Sequence, residues 1–214
     1  RGGALTAALE GSRTFVHNMA PLDEAMVMLF SDRTLAATRF SPRSEALISE
    51  LEGVEARGGT ALNDHLYAAL RLLDARRGRR VVIMVSDGAD VLSALGIADV
   101  AWKIRRSDCL VYWIRREKQR RQSFSSVWRD FEENRAEWDG LTAAVEESGG
   151  RIVVLEGIDQ IGEAFEDIMR ELRSQYVLGY YPSERYHDGD WRRVRVRVDE
   201  PRARVRFRPG YVDR

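Results

Sequence analysis

Apolar residues along the chain alternate between a helical repeat and short continuous runs, the pattern of an α/β layered fold. Leu5, Ala8, Leu9, Phe15, Val16 and Met19 approximate one helical face over 5–19, and Pro21 stops that helix. The stretch 25–30 is an unbroken apolar run, as expected of a strand covered on both faces. Asp32-Arg33 turns the chain into an antiparallel partner over 34–40. Pro42 then stands in the first turn of a second helix, which runs to Glu52.

Gly58-Gly59 interrupts the pattern before a strong helix over 61–75, with Leu62, Leu66, Ala69, Leu70 and Leu73 at helical spacing. The run 81–85 is the most apolar in the chain and predicts a central buried strand. A helix over 97–106 and a strand over 110–114 follow. The segment 115–137 is polar and irregular, and reads as a long loop containing one helical turn. A helix over 141–147 ends at Gly149-Gly150, and a strand over 152–155 and a helix over 158–172 complete the alternation. Beyond Ser174 the texture changes. Three strand candidates, 176–181, 191–198 and 203–207, follow one another without helices, as in a β meander.

The predicted architecture is therefore α/β. An open, mostly parallel sheet with helices on both faces spans 1–174, and a small antiparallel β extension spans 175–214.

Composition narrows the function. An apolar fraction of 44% in 214 residues supports a packed core rather than disorder. Basic and acidic residues balance at 34 each, which argues against a protein built to grip the phosphates of nucleic acid. No run of about 20 apolar residues spans a membrane. The single cysteine, Cys109, lies in an apolar run and reads as a small buried hydrophobe. His17, His65 and His187 lack metal-ligand spacing, and the five tryptophans follow no stacking-platform pattern. Valines alternate with arginines over 193–198, as do Val205 and Phe207 over 204–208. A two-faced sheet with a solvated side accounts for this; a surface for an acidic partner is the other reading.

Two motifs carry candidate chemistry. Ser86-Asp87-Gly88 ends the run 81–85, and ligands of open parallel sheets bind at the carboxyl ends of strands. Asp87 is placed there for an ion or substrate, or as the first residue of an Asp-Gly turn. Gly58-Gly59-Thr60-Ala61-Leu62 opens the helix over 61–75. Thr60 caps that helix, or its hydroxyl serves as an oxygen ligand for a hard divalent ion held by Asp87. Asp90 and Ser93 stand at the rim of such a site.

Together, the run Gly58-Gly59-Thr60-Ala61-Leu62-Asn63-Asp64 and the run Arg79-Arg80-Val81-Val82-Ile83-Met84-Val85-Ser86-Asp87-Gly88 resemble the von Willebrand factor A family. Phe30-Ser31-Asp32 fits as well, and the resemblance covers 1–174. In that family a metal-ion-dependent adhesion site is formed by an Asp-x-Ser-x-Ser loop, a Thr from a second loop and an Asp from a third. By motif position Thr60 is that Thr and Asp87 that Asp. The resemblance thus implies a protein-binding module in which Mg²⁺, or Mn²⁺ or Ca²⁺ in its place, coordinates an acidic residue of a protein partner. The stretches Gln175-Tyr176-Val177-Leu178-Gly179-Tyr180-Tyr181-Pro182 and Arg208-Pro209-Gly210-Tyr211 are similar to a bacterial branch of the family. Members of that branch usually carry export signals, which implies a secreted, extracellular or periplasmic location.

This sequence departs from the family in one respect. It contains no Asp-x-Ser-x-Ser, the loop that in the family ends the first, central strand. Arg1-Gly2-Gly3-Ala4-Leu5 resembles the start of the helix after that loop, as if the chain begins just past it. The expected consequences are a sheet without its middle strand, neighbouring backbones without ladder partners, and weak metal binding by Thr60 and Asp87 alone.

Two other functions compete. One is a Mg²⁺-dependent phosphoryl-transfer enzyme using Asp87 and Asp90 as metal ligands. Against it, neither Lys103 nor Lys118 lies beside the end of the strand that carries Asp87, and there is no phosphate-cradling glycine loop or acyl-transfer nucleophile elbow. The other is a structural domain of the same fold with no working metal site.

Overall fold

A computed structural model describes residues 2–49, 51, 53–55, 58–117, 131–184 and 186–213. The chain opens with helix α1 (Gly2–His17) and then forms strands β1 (Met28–Phe30) and β2 (Thr34–Ala37). Helices α2 (Ser44–Ser49) and α3 (Leu62–Asp74) lead to strand β3 (Arg80–Val85). Helix α4 (Ile97–Arg106), strand β4 (Cys109–Arg116), helix α5 (Phe131–Glu147) and strand β5 (Ile152–Leu155) follow. A 3-10 turn (Ile158–Gln160) enters helix α6 (Ile161–Ser174), and strands β6 (Trp191–Arg193) and β7 (Gly210–Val212) end the chain.

Strands β3, β4 and β5 form a parallel sheet in that order, with Val82 opposite Val111 and Ile114 opposite Val153. Side chains alternate across it, as the period of two demands. Cys109, Val111 and Trp113 of β4 join Val82 and Met84 against Leu66 and Leu70 of α3, Val100 and Ile104 of α4, and Val145 of α5. Tyr112 and Ile114 face the other way, with Val81, Ile83 and Val85, onto Phe165, Ile168 and Leu172 of α6 and Phe15 of α1. The α6 residues stand three to four apart, so one stripe faces the sheet, and Phe15 meets Phe165 at 5.7 Å between ring centroids. This is the predicted three-layer arrangement.

The central strand among the described residues is β4, not the run 81–85. Residues Cys109 to Ile114 of β4 are nearly all buried, whereas β3 pairs with β4 on one edge only. Ser86 N donates to Ile114 O at 3.2 Å. By the alternation of a parallel ladder, the backbone groups of Val81, Ile83 and Val85 point away from β4.

They point into a cleft of about 1830 Å³ lined by Leu5, Phe15, Phe30, Leu66, Val81 and Ile83, among others. Small-molecule pockets run to roughly 300–1,000 Å³, so the cleft exceeds that range. Across it lies β1, paired antiparallel with β2 through Met28 opposite Ala37. Two contacts fix the direction of β1 relative to β3. At the carboxyl ends of both strands, Ser31 O accepts from Ala61 N at 2.8 Å, and Thr60 O accepts from Val91 N and Leu92 N at 3.0 and 3.1 Å. At the other end Arg76 pairs with Glu24 at 3.3 Å. So β1 and β3 run the same way with no strand between them among the described residues.

Several sequence expectations are corrected. Thr60 does not cap α3: the N-cap residue is Ala61. Helix α5 starts at Phe131, ten residues before the predicted 141, inside the segment read as a loop. Its packing stripe is Trp138, Leu141, Ala144 and Val145, and the first of these precedes the predicted helix. Residues 118–130 of that predicted loop lie outside those described. In the tail, 176–181 forms no strand, and Tyr176 and Tyr181 are 94% and 90% exposed. The stretch 203–207 forms none either. Instead β6 pairs antiparallel with β7, Trp191 opposite Val212, which shortens the predicted strand 191–198 to three residues.

Arg193, Arg195 and Arg197 are exposed and alternate with half-buried Val194 and Val196, as a solvated side predicts, while two later arginines tie the tail to the body. Arg206 pairs with Glu171 of α6. Arg208 donates to the carbonyls of Arg105 (2.6 Å) and Ile104 (3.4 Å) and to that of Ser107, capping the carboxyl end of α4 where a cation suits the helix dipole.

Candidate functional site

Three loops meet at the carboxyl end of the sheet: Ser31-Asp32 after β1, Gly58–Ala61 before α3, and the segment 86–96 between β3 and α4. The joints between them are backbone hydrogen bonds, because each loop presents groups that no helix or strand ladder satisfies.

Helix α3 needs partners for its first-turn N–H groups, and the 86–96 segment supplies them. Asp90 is buried; its Oδ2 accepts from Asn63 N at 2.8 Å and its Oδ1 from Ser93 N at 3.0 Å. Ser93 Oγ accepts from Asp64 N at 3.1 Å. In return the Asp64 carboxylate accepts from Ala94 N and Leu95 N at 3.0 and 2.9 Å. Asn63 Nδ2 adds bonds to Leu95 O (3.3 Å) and Glu137 Oε2 (3.0 Å), tying α5 into the joint. The capping predicted for Thr60 is thus done from 27 and 29 residues away. Asp90 and Ser93 act as braces for this loop, and Asp90 has both oxygens engaged.

With α3 clamped in this way, Thr60 and Asp87 are left on neighbouring loops. The Thr60 carbonyl holds Val91 and Leu92, four and five residues beyond Asp87. Thr60 is half-buried and Asp87 exposed, and both line the cleft. Asp87 Oδ1 accepts from Ala89 N at 3.0 Å within its own turn, so the turn-forming role suggested by Asp-Gly is real. Among the described residues no cation pairs with Asp87.

Asp32 belongs to the same cluster. It is fully exposed, and the Ser31 hydroxyl, donating at 2.7 Å, holds its carboxyl below the ordinary range. A methyl group at Gly58, whose φ is +83°, would meet that carboxylate, so Asp32 lies against the loop that carries Thr60. Two exposed carboxylates therefore flank the threonine. Among the described residues no three His, Cys, Asp or Glu side chains gather as a metal cluster. Hydroxyl and carboxylate oxygens from Thr60 and Asp87 suit a hard divalent ion in kind, but two of them fill only part of a shell of about six.

One feature beside Asp87 has no signature in the local sequence. Gly88 has φ +79°, and a methyl group there would strike the indoles of Trp113 and Trp138, which meet edge to face at 4.8 Å. Only glycine lets the loop lie on this pair. Trp113 Nε1 donates to Ser86 O at 2.9 Å, fixing the loop from below. The partners are 25 and 50 residues from Gly88, so no local motif announces them.

A sequence profile described as a von Willebrand factor type A domain matches residues 1–89. No curated protein matches the chain. Among solved structures, the chain is similar to a von Willebrand factor type A protein from Catenulispora acidiphila (18% identity, TM-score 0.54), covering 77% of this chain and 37% of that one. It therefore spans little more than a third of that relative. It is also similar to an aerotolerance-related membrane protein from Bacteroides fragilis (16%, TM-score 0.54; 78% of this chain, 88% of that one). BatB, a conserved hypothetical protein from Bacteroides thetaiotaomicron, is comparable (15%, TM-score 0.55; 79% and 89%). At these identities the structures speak for the fold. The profile match takes in β1, α3, β3 and the Asp87 turn, so residues 1–89 are similar to a von Willebrand factor type A domain, and the chain shares its fold with these bacterial proteins.

Proposed function

We propose that this domain binds a protein partner at the carboxyl end of its sheet, where Thr60 and Asp87 contribute oxygens to a divalent cation, Mg²⁺ by preference. Domains of this type are in general protein-interaction modules. The observation that supports the site is the pair of bonds from Val91 N and Leu92 N to Thr60 O, which hold the threonine loop against the loop bearing Asp87. When bound, the cation would supply a Lewis-acidic centre able to take a carboxylate of the partner. Thr60 and Asp87 would hold it, with water in further positions. Asp32, ionised beside Gly58, adds negative potential that favours a cation.

The bracing of Asp90 weighs against phosphoryl transfer. That chemistry wants a second carboxylate free for metal, and both oxygens of Asp90 accept backbone N–H groups. The similarity to bacterial membrane-associated proteins favours a site of action outside the cytoplasm. No helix among the described residues is long and apolar enough to cross a membrane.

Calorimetric titration of Mg²⁺ into the longest natural polypeptide that carries this chain tests the proposal. Binding should weaken at least roughly tenfold in Asp87→Ala and in Thr60→Val, the loss expected for a charged or hydroxyl ligand. Unchanged affinity in Asp87→Ala removes the metal from the account.

A further inference from the structure

Arg115 is unexplained by anything above. It lies on β4 two residues after Trp113, on the same face of the sheet, and lines the cleft together with Asp87. Its guanidinium carbon sits 4.9 Å from the Trp138 ring centroid and 5.7 Å from that of Trp113. These are the two indoles on which Gly88 rests. Arg115 Nε is buried and has no hydrogen-bond partner, and the guanidinium makes no ion pair among the described residues. Indole faces attract a cation but offer no acceptor in line with its N–H bonds. A buried donor left unsatisfied is costly, and burial here pulls the guanidinium below its ordinary value. Glu117, two residues on, acts on it through charge, but among the described residues no anion makes a hydrogen bond or ion pair with it, and the rings hold the cation in place.

We infer that Arg115, clamped by Trp113 and Trp138 beside the Asp87 turn, is the receptor for a carboxylate of an acidic peptide segment of the partner. The planar fork of guanidinium donors matches a carboxylate. A phosphate dianion would meet the exposed carboxylates of Asp87 and Asp32 at the same end of the sheet, so the singly charged group is the better fit. The inference rests on the protein-binding reading and is independent of the metal. It gives the partner a contact made even when no cation is present.

The test follows the Arg115 Nε–H resonance by ¹⁵N NMR in the longest natural polypeptide carrying this chain. The probes are a capped Gly-Glu-Gly peptide, its Gly-Gln-Gly counterpart and inorganic phosphate, each in EDTA and again with Mg²⁺. The Glu peptide should shift the resonance in EDTA and the Gln peptide should not. Affinity for the Glu peptide should fall at least roughly tenfold in Arg115→Gln, the size expected for loss of a charged hydrogen-bond partner. Arg115→Lys keeps the charge without the fork and should fall in between. Unfolding midpoints of the variants matching the parent show that the loss is local. Equal binding of the two peptides, or unaltered binding by Arg115→Gln, overturns the inference, as does phosphate binding more tightly than the Glu peptide. Binding seen only with Mg²⁺ overturns it while leaving the metal reading intact. Binding in EDTA that Mg²⁺ does not strengthen upholds it and counts against the metal.

Discussion

Asp90 Oδ2 lies 2.8 Å from the backbone nitrogen of Asn63, so a carboxylate from the β3–α4 segment caps a helix that begins 28 residues earlier. That bond sets the distance between the loops bearing Thr60 and Asp87. Replacing Asp90 by alanine strands the buried Asn63 N–H and removes the cap. It should cost about 2 kcal/mol, combining a lost cap and an unsatisfied donor. Asp87→Ala should stay within about 0.5 kcal/mol, because Asp87 is exposed and bonds only within its own turn. Urea unfolding of the two variants separates a brace from a ligand: similar losses in both would contradict that division.

Gly88 makes a second prediction. Alanine there must adopt φ +79° and push a methyl group into the Trp113–Trp138 pair. The backbone term alone is about 1–2 kcal/mol, and the clash adds to it. Near-ultraviolet circular dichroism should change together with stability. A variant as stable as the parent, with an unchanged aromatic spectrum, would show that the loop does not rest on the indoles.

The clasp between tail and body should depend on pH at both extremes. Burial alone would raise the Glu171 carboxyl, but hydrogen bonds from Tyr112 (2.5 Å), Arg151 (2.7 Å) and Arg206 more than reverse this, and it titrates below its ordinary value. A depressed folded value means that its stabilisation is present above the unfolded value of about 4.3 and is lost as acid protonates it in the folded state. Tyr112 behaves oppositely. Burial first, then the hydrogen bond and charge of Glu171, push it up to about 12. Its contribution is complete below about pH 10 and disappears as pH rises through 12. Thermal midpoints across pH should fall on both flanks, and Glu171→Gln should flatten the acid one.

How far the sequence foretold this molecule depends on where each residue's partners lie. The helix over 97–106 and the strand over 152–155 were legible to the residue, because the signals are local: periodic apolar positions, Gly96 before the one and Gly149-Gly150 before the other. The first half of α5 was not. Before Trp138 it carries charged residues with no apolar stripe, and Glu137 reaches Asn63 and Ile97 on other elements. At the site, Thr60 and Asp87 stood out as loop residues at an expected strand end. Asp90 as a brace and Arg115 on its indoles did not, since every partner is remote in sequence. In the tail, valine–arginine alternation suggested long strands, but arginines such as Arg206 and Arg208 are engaged by the body and only 191–193 pairs with 210–212.

The open edge of β3 has a dynamic consequence. In this 214-residue chain the amides of Val81, Ile83 and Val85 face the cleft, while Val111 and Trp113 sit in the middle of the sheet. Amides without ladder partners exchange readily. Hydrogen exchange should therefore be faster at the three β3 positions than at the two in β4. Equal protection would mean that the cleft is closed.

Paramagnetic relaxation by Mn²⁺ tests the site itself most directly. Added to the ¹⁵N-labelled longest natural polypeptide carrying this chain, Mn²⁺ should selectively broaden the amides of Gly59 to Ala61 and of Ser86 to Ala89. It should spare Gly78 and Arg79, at the opposite end of β3. Broadening centred on Gly78 and Arg79, or spread evenly over the molecule, would contradict a cation held between Thr60 and Asp87.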